Sequence, residues 1–185
     1  MKIKFLSNFV ILSIAIFIVA YSANNILSTQ TSTTKTTAPV SSSAAKALEL
    51  AHEAFQYANE IRAQNNKAPL TWDQDVADQA NIHSKVMGDT IPKHQGDTKL
   101  SHDGFQDRFN NIYSKHSSLS AMGENVAETS EQPDVAKFVT DKWMGHPPHR
   151  DNLLDTQNYG FTKTGIGFYL ADDNHWYATA IYAKF

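Results

Sequence analysis

Eight histidines and no cysteine set the chemistry open to this 185-residue chain. Imidazole changes charge near neutral pH and, when neutral, ligates divalent metals. Disulfides and cysteine-based zinc or redox centres are excluded. No serine stands in a Gly-x-Ser-x-Gly context, so no nucleophile stands out. A histidine and a carboxylate sharing a cleft can work as acid and base near neutrality. Two neutral imidazoles with a carboxylate can instead hold a divalent cation and leave positions open for water or substrate. His83 falls on the apolar stripe of a helix and reads as a hydrogen-bonded core or rim residue, because a buried imidazole readily finds a partner. His52, His94, His116 and His175 read as surface residues.

The elements that position these groups follow from periodicity. Leu48, Ala51, Phe55, Ala58 and Ile61 recur every three or four residues, which predicts a helix over residues 44–64 that Asn65-Asn66-Lys67 and Pro69 stop. Asp73 caps a second helix with the stripe Val76, Ala80, His83 and Met87, closed by Gly88. After a polar loop through Gly96, Phe105, Phe109 and Ile112 predict a short third helix. Pro133, at a first helical position, opens a fourth with Val135, Val139 and Trp143, which Pro147-Pro148 must end. Residues 165–171 and 175–185 are rich in aromatic and β-branched side chains, and Asp172-Asp173-Asn174 supplies the turn of a β-hairpin. Both faces of its strands are largely apolar, so helices should cover an antiparallel sheet on two sides. Trp143, Trp176, Tyr177 and Tyr182 read as core rather than ligand platform.

Composition bounds the rest. A formal net charge of −3, more acidic still without Lys2 and Lys4, argues against nucleic acid and against an anionic surface as main partner. Those two lysines precede an apolar run over residues 5–21, the layout of a secretory leader, and Ala20-Tyr21-Ser22 offers small residues for cleavage. The alternative is a membrane anchor, although the run is at the short edge of the roughly 20 residues a span requires. Residues 24–43 are mostly Ser, Thr, Gln and Asn and cannot offset the entropy of ordering them, so they read as a spacer. The expected division is therefore a signal peptide or N-terminal anchor over 1–22, a disordered Ser/Thr-rich linker over 23–43, and one domain over 44–185. The protein is then secreted or anchored to the outer face of the plasma membrane. It meets the membrane only through residues 5–21, if these are uncleaved.

Five segments in order carry a resemblance. They are Asn59-Glu60-x-Arg62 with Pro69-Leu70-x-Trp72, then Ser101-His102-Asp103-Gly104-Phe105, then Gly123-Glu124-Asn125-Val126-Ala127, then Trp143-Met144 leading to His149-Arg150-x-Asn152-Leu153-Leu154, and finally Gly165-Ile166-Gly167. Together they resemble the CAP, or SCP-like, family of cysteine-rich secretory proteins, antigen 5 and pathogenesis-related 1, in a bacterial branch without cysteine. The resemblance implies an α+β fold, a three-layer α-β-α sandwich with a central antiparallel sheet flanked by helices.

The resemblance also implies a cleft over the sheet that collects His102, Glu124 and His149, which lie too far apart in sequence for spacing to reveal. These three would be the metal ligands, with Glu124 the candidate catalytic group. Where eukaryotic relatives place a second glutamate, this chain has His146. Turned inward, His146 makes the cluster more attractive to zinc; Pro147 can equally turn it outward. Glu124 can serve the site or, by accepting backbone N–H bonds, organise its loop, while Arg150 and Asn152 are expected to cap or brace a short helix after His149. The preferred reading is an extracellular binding or interaction module that requires no cofactor. Its cleft would accept a divalent metal such as zinc, and it would hold an envelope ligand such as a lipid or a cell-wall component. The alternatives are a metal-dependent, protease-like hydrolase with Glu124 activating water, and a purely structural envelope protein.

Overall fold

Two residues of β-structure decide how the first two helices enter the domain. In a computed structural model describing residues 42–90, 98–130 and 133–185, α1 (Ser42–Gln64) leads to β1 (Thr71–Trp72), and Asp73 then caps α2 (Gln74–Asp89) by accepting the Val76 N–H at 3.2 Å. After α3 (Phe105–Lys115) come β2 (Ala121–Ser130), α4 (Val135–Gly145), α5 (Pro147–Leu154), β3 (Lys163–Leu170) and β4 (His175–Lys184). The expected leader and nearly all of the expected linker, residues 1–41, lie outside the described residues, as do residues 91–97.

The sheet runs β1-β3-β4-β2. Its three long strands are antiparallel, with β4 in the centre, and β1 adds a short parallel edge by pairing Thr71 with Lys163 and Trp72 with Thr164. The sheet is therefore mixed at one edge, where an all-antiparallel sheet was expected. Alternation then assigns the layers. On one face, Trp176, Ala178, Ala180 and Tyr182 of β4 pack with α1, α4 and α5 around buried Trp143 and Leu153. On the other, Ile181 and Ala183 pack with Val76 and Ala80 of α2 and Ile112 of α3, while Tyr177 packs with Met87. This is the expected three-layer α-β-α sandwich, and the four large aromatics are core.

Several local details differ from expectation. The face of α1 is rotated: Leu50, Ala54 and Arg62 are buried beside Ala51 and Ala58, while Leu48 stays 53% exposed. Small alanines at these positions let the helix lie close to the sheet. Gly88 does not close α2 but sits inside it, where an added Cβ would lie 2.6 Å from the Tyr169 ring. Pro133 precedes α4 rather than opening it, since Asp134 is the cap residue. The Pro147-Pro148 pair ends α4 as expected and at once begins α5, because proline at the first helical positions sacrifices no hydrogen bond. The segment of Gly123 to Ala127 is the middle of a ten-residue strand.

That strand is an edge, and side chains seal it. The carbonyls of Glu124, Val126 and Glu128 accept bonds from Asn152 Nδ2 (3.2 Å), Trp143 Nε1 (3.2 Å) and Lys142 Nζ (2.9 Å). Donors from α4 and α5 thus take the place of a further strand. On the opposite face, α2 lies on β3 with no side chain between them at two points. A Cβ at Gly165 would fall 2.1 Å from the Ala77 nitrogen, and one at Gly167 would fall 2.3 Å from the Asn81 nitrogen.

Backbone meeting backbone cannot yield as a side chain can. Gly167→Ala is expected to cost about 3 kcal/mol or more, read as a lowered urea midpoint, whereas Gly145→Ala, with nothing within 4 Å, should leave the midpoint nearly unchanged. Equal midpoints for the two variants would contradict this packing.

Candidate functional site

The site is assembled around an ion pair whose arginine was not singled out from the sequence. Arg108, on the buried face of α3 one turn before Ile112, meets Glu124 of β2 in a fork: Nε donates to Oε2 at 2.7 Å and Nη2 to Oε1 at 2.6 Å. The side chains are 8% and 1% exposed. The same guanidinium donates from Nη1 to the Asp103 carbonyl at 2.7 Å and from Nη2 to the His102 carbonyl at 3.4 Å. One group thereby fixes both the carboxylate and the loop that carries His102. The expectation that Glu124 accepts backbone N–H bonds is corrected: its oxygens serve a guanidinium and an imidazole.

His102 completes the arrangement. Its Nδ1 lies 2.9 Å from Glu124 Oε1. A carboxylate only accepts, so Nδ1 carries a proton towards Glu124, and Nε2 lies on the side of the ring away from Glu124. The His102 side chain is 51% exposed. His83, buried to 1%, donates from Nε2 to the Ser101 carbonyl at 2.8 Å and stands 3.7 Å from Glu124 Oε1. It is the hydrogen-bonded core histidine expected, yet it also walls the carboxylate. Burial pushes the His83 pKa down against the pull of Glu124. For Glu124 burial acts upward, but the bonds from His102 and Arg108 outweigh it, and the carboxyl is held below its ordinary value.

Strand alternation sends the next residue to the other layer. Asn125 donates to the His149 carbonyl at 2.8 Å and lies 3.3 Å from the Tyr182 hydroxyl, and its Oδ1 accepts from Asn152 at 2.9 Å. Asn152 is thus not a helix cap. It pins α5 to β2, and α5 begins before His149, with Pro147. Arg150 is exposed. Through this latch His149 stands half-buried at the edge of β2, and its pKa is driven down to about 4, first by burial and then by the charges of His146 and His102. His146 is exposed, with its ring centroid 4.5 Å from that of His149. The tertiary structure therefore places His146 beside His149 and close enough to His102 for their charges to be felt at His149, while Glu124 lies behind His102.

The donor set suits a metal only in part. His102 Nε2 and the neutral imidazole of His149 are ligand-type groups on a solvent-facing rim, joined there by His146. Glu124 lacks solvent access and is committed to Arg108, so it fits as the group that orients His102 rather than as a ligand. Among the described residues, three donors of metal-binding type converge within 4.8 Å only elsewhere, at Asp73, Asp75 and His116. One weak signal for Arg108 did exist, an arginine one turn from Ile112 on a helix stripe. For the Asn125–Asn152 latch the sequence offered only the expectation that Asn152 caps or braces the short helix, and nothing linked it to Asn125.

Comparison with known proteins agrees with this architecture. The family model described as "CAP: Cysteine-rich secretory protein family" matches residues 55–182. The chain is similar in fold to an outer surface protein from Borrelia burgdorferi, with a TM-score of 0.56 and 20% identity over 74% of this chain and 92% of that one. It is also similar to an extracellular protein containing a SCP domain from Bacillus anthracis, with a TM-score of 0.53 and 25% identity over 80% of this chain and 45% of that one. A cysteine-rich secretory protein from Staphylococcus aureus gives a TM-score of 0.53 at 16% identity, covering 76% of this chain and 40% of that one. The chain thus spans less than half the length of the last two proteins. No curated protein matches. A match that spans most of the folded part leads to one conclusion: this chain belongs to the CAP family of cysteine-rich secretory proteins.

Proposed function

We propose that this is an exported binding module whose rim of His102, His146 and His149 takes a divalent transition-metal ion and, beside it, an envelope ligand. The observation that carries the reading is the fixed tautomer of His102. Glu124, itself held by Arg108, accepts the Nδ1–H hydrogen bond and leaves Nε2 as the ligand-type nitrogen on the same rim as His149, which remains neutral well below pH 7. A bound ion would supply Lewis acidity and a fixed positive charge. The chain's own part is to orient His102 through Glu124 and to favour the neutral form of His149 through burial.

Export is supported by the layout of residues 1–22 and by likeness in fold to an extracellular protein of Bacillus anthracis and an outer surface protein of Borrelia burgdorferi. Among the described residues no helix is long and apolar enough to cross a membrane. An apolar ligand is supported by a groove of about 380 Å³ between α2 and α3, where the more-than-half-exposed Ile82 and Val86 adjoin His83 and Arg108. The hydrolase reading loses ground for one reason: Glu124, its water-activating base, is buried and held as a carboxylate in an ion pair.

Zinc added to chelator-stripped protein should shift the ring NMR signals of His102 and His149 together, and His149→Ala should remove the shift at His102. Independent responses at the two rings, or none at millimolar zinc, would refute the metal reading. Retention of no lipid class from a broad panel would refute the apolar ligand. The metal-free His149 ring should titrate near pH 4, well below the ordinary histidine value of about 6.5. Its folded pKa is depressed, so the unfolded chain binds the extra proton first, and His149 subtracts stability as pH falls from about 6.5 towards 4. A midpoint near the ordinary value would contradict the half-buried placement. Finally, Glu124→Gln leaves the Arg108 charge buried without its partner, so a loss of about 3–5 kcal/mol is expected, with the His102 tautomer released in nitrogen NMR. A variant as stable as the parent would show that the pair organises nothing.

A further inference from the structure

We infer that Asp73, Asp75 and His116 form a second site for a divalent transition-metal ion, distinct from the cleft histidines and independent of the reading proposed for them. Asp73 caps α2, Asp75 lies in its first turn, and His116 ends α3, so the start of one helix meets the end of another. One donor atom from each residue lies within 4.8 Å of the other two. His116 Nε2 stands 3.0 Å from Asp75 Oδ2 and 3.7 Å from Asp73 Oδ1. Ligands bonded at about 2.0–2.2 Å to one ion are separated by comparable distances, so small side-chain rotations suffice.

The donors are largely fixed in advance. The His116 ring stacks on Phe185, with centroids 4.4 Å apart and planes 10° from parallel. Asp73 is held by its cap bond to the Val76 N–H. Asp73, Asp75 and His116 are only 15%, 34% and 28% exposed at their side chains, which leaves one open side for water ligands. Two carboxylates with one imidazole suit first-row ions such as zinc, manganese or cobalt better than calcium or magnesium, which favour all-oxygen shells.

Two features oppose the ion, and one supplies the test. The positive end of α2 faces the site. Lys115, 52% exposed, places its ammonium 2.5 Å from Asp75 Oδ1, where it neutralises part of the charge that a metal would use. The side chain is long and able to swing into solvent, so Lys115 acts as a competing cation rather than as part of a closed core.

The experiment uses the full chain carrying His102→Ala, His146→Ala and His149→Ala, which removes the cleft imidazoles, stripped with chelator and titrated with manganese. Selective, saturable broadening of the His116 and Phe185 NMR signals is expected. Asp75→Asn should weaken it by about tenfold or more, and Lys115→Ala should strengthen it. Should Asp75→Asn fail to fold, Lys115→Ala decides alone. No broadening at millimolar manganese, broadening spread evenly over exposed acids, or an unchanged or weakened response in Lys115→Ala would each show a closed ion-pair network and overturn the site. Because the cleft imidazoles are absent, failure here leaves the cleft reading untouched, and failure of the cleft leaves this one standing.

Discussion

A guanidinium and a carboxylate that leave water together must answer each other's hydrogen bonds, and the arrangement of the cleft depends on how Arg108 and Glu124 do so. Their fork uses two donors of Arg108, and further guanidinium bonds reach the Asp103 and His102 carbonyls. A planar group with donors in fixed directions therefore sets the distance between α3, β2 and the His102 loop at once. The pair need not stabilise the protein relative to apolar packing. Its effect is positional: with the carboxylate held, the proton of His102 has one place to go.

The second constraint is the two-residue period of β2. Glu124 faces the layer of α2 and α3, and Asn125 faces the layer of α1, α4 and α5. Adjacent residues thus each organise one helical layer, Glu124 through Arg108 and Asn125 through the His149 carbonyl and Asn152. Only at an edge strand can groups from both layers reach the same rim. The side-chain donors that seal the β2 edge, from Asn152, Trp143 and Lys142, therefore serve both purposes: they satisfy backbone carbonyls and they bring α5 with its histidines to the cleft.

Much of the framework was legible in the residues. The α2 stripe, the stop at Pro147-Pro148 and the hairpin of β3 and β4 follow from local periodicity and turn chemistry, which tertiary packing did not override. Where periodicity was a poor guide, the reason was physical. Leu48 fits the α1 stripe, but the small side chains of Ala51, Ala54 and Ala58 let the helix settle with a different face inward. β2 was missed as a strand because Gly123, Glu124 and Asn125 interrupt any apolar alternation, and they do so because an edge strand beside a cleft carries polar groups. His116 read as a surface residue, yet it is half-buried against Phe185 and two aspartates brought from another helix.

The sequence by itself determined the inventory: histidines without thiols, an apolar run near the start followed by a polar stretch, helix stripes, a closing hairpin and an ordered set of family motifs. Those are properties of composition and of neighbours along the chain, where period and capping act over a few residues. The tertiary structure alone decided that Glu124 faces Arg108, that His146 lies beside His149, and which nitrogen of His102 is free. The second depends on the turn that the proline pair imposes between α4 and α5. The first and last depend on Arg108 and His102, 16 and 22 residues before Glu124, meeting it in a largely desolvated space. There an unanswered charge or hydrogen bond is costly enough to select one arrangement.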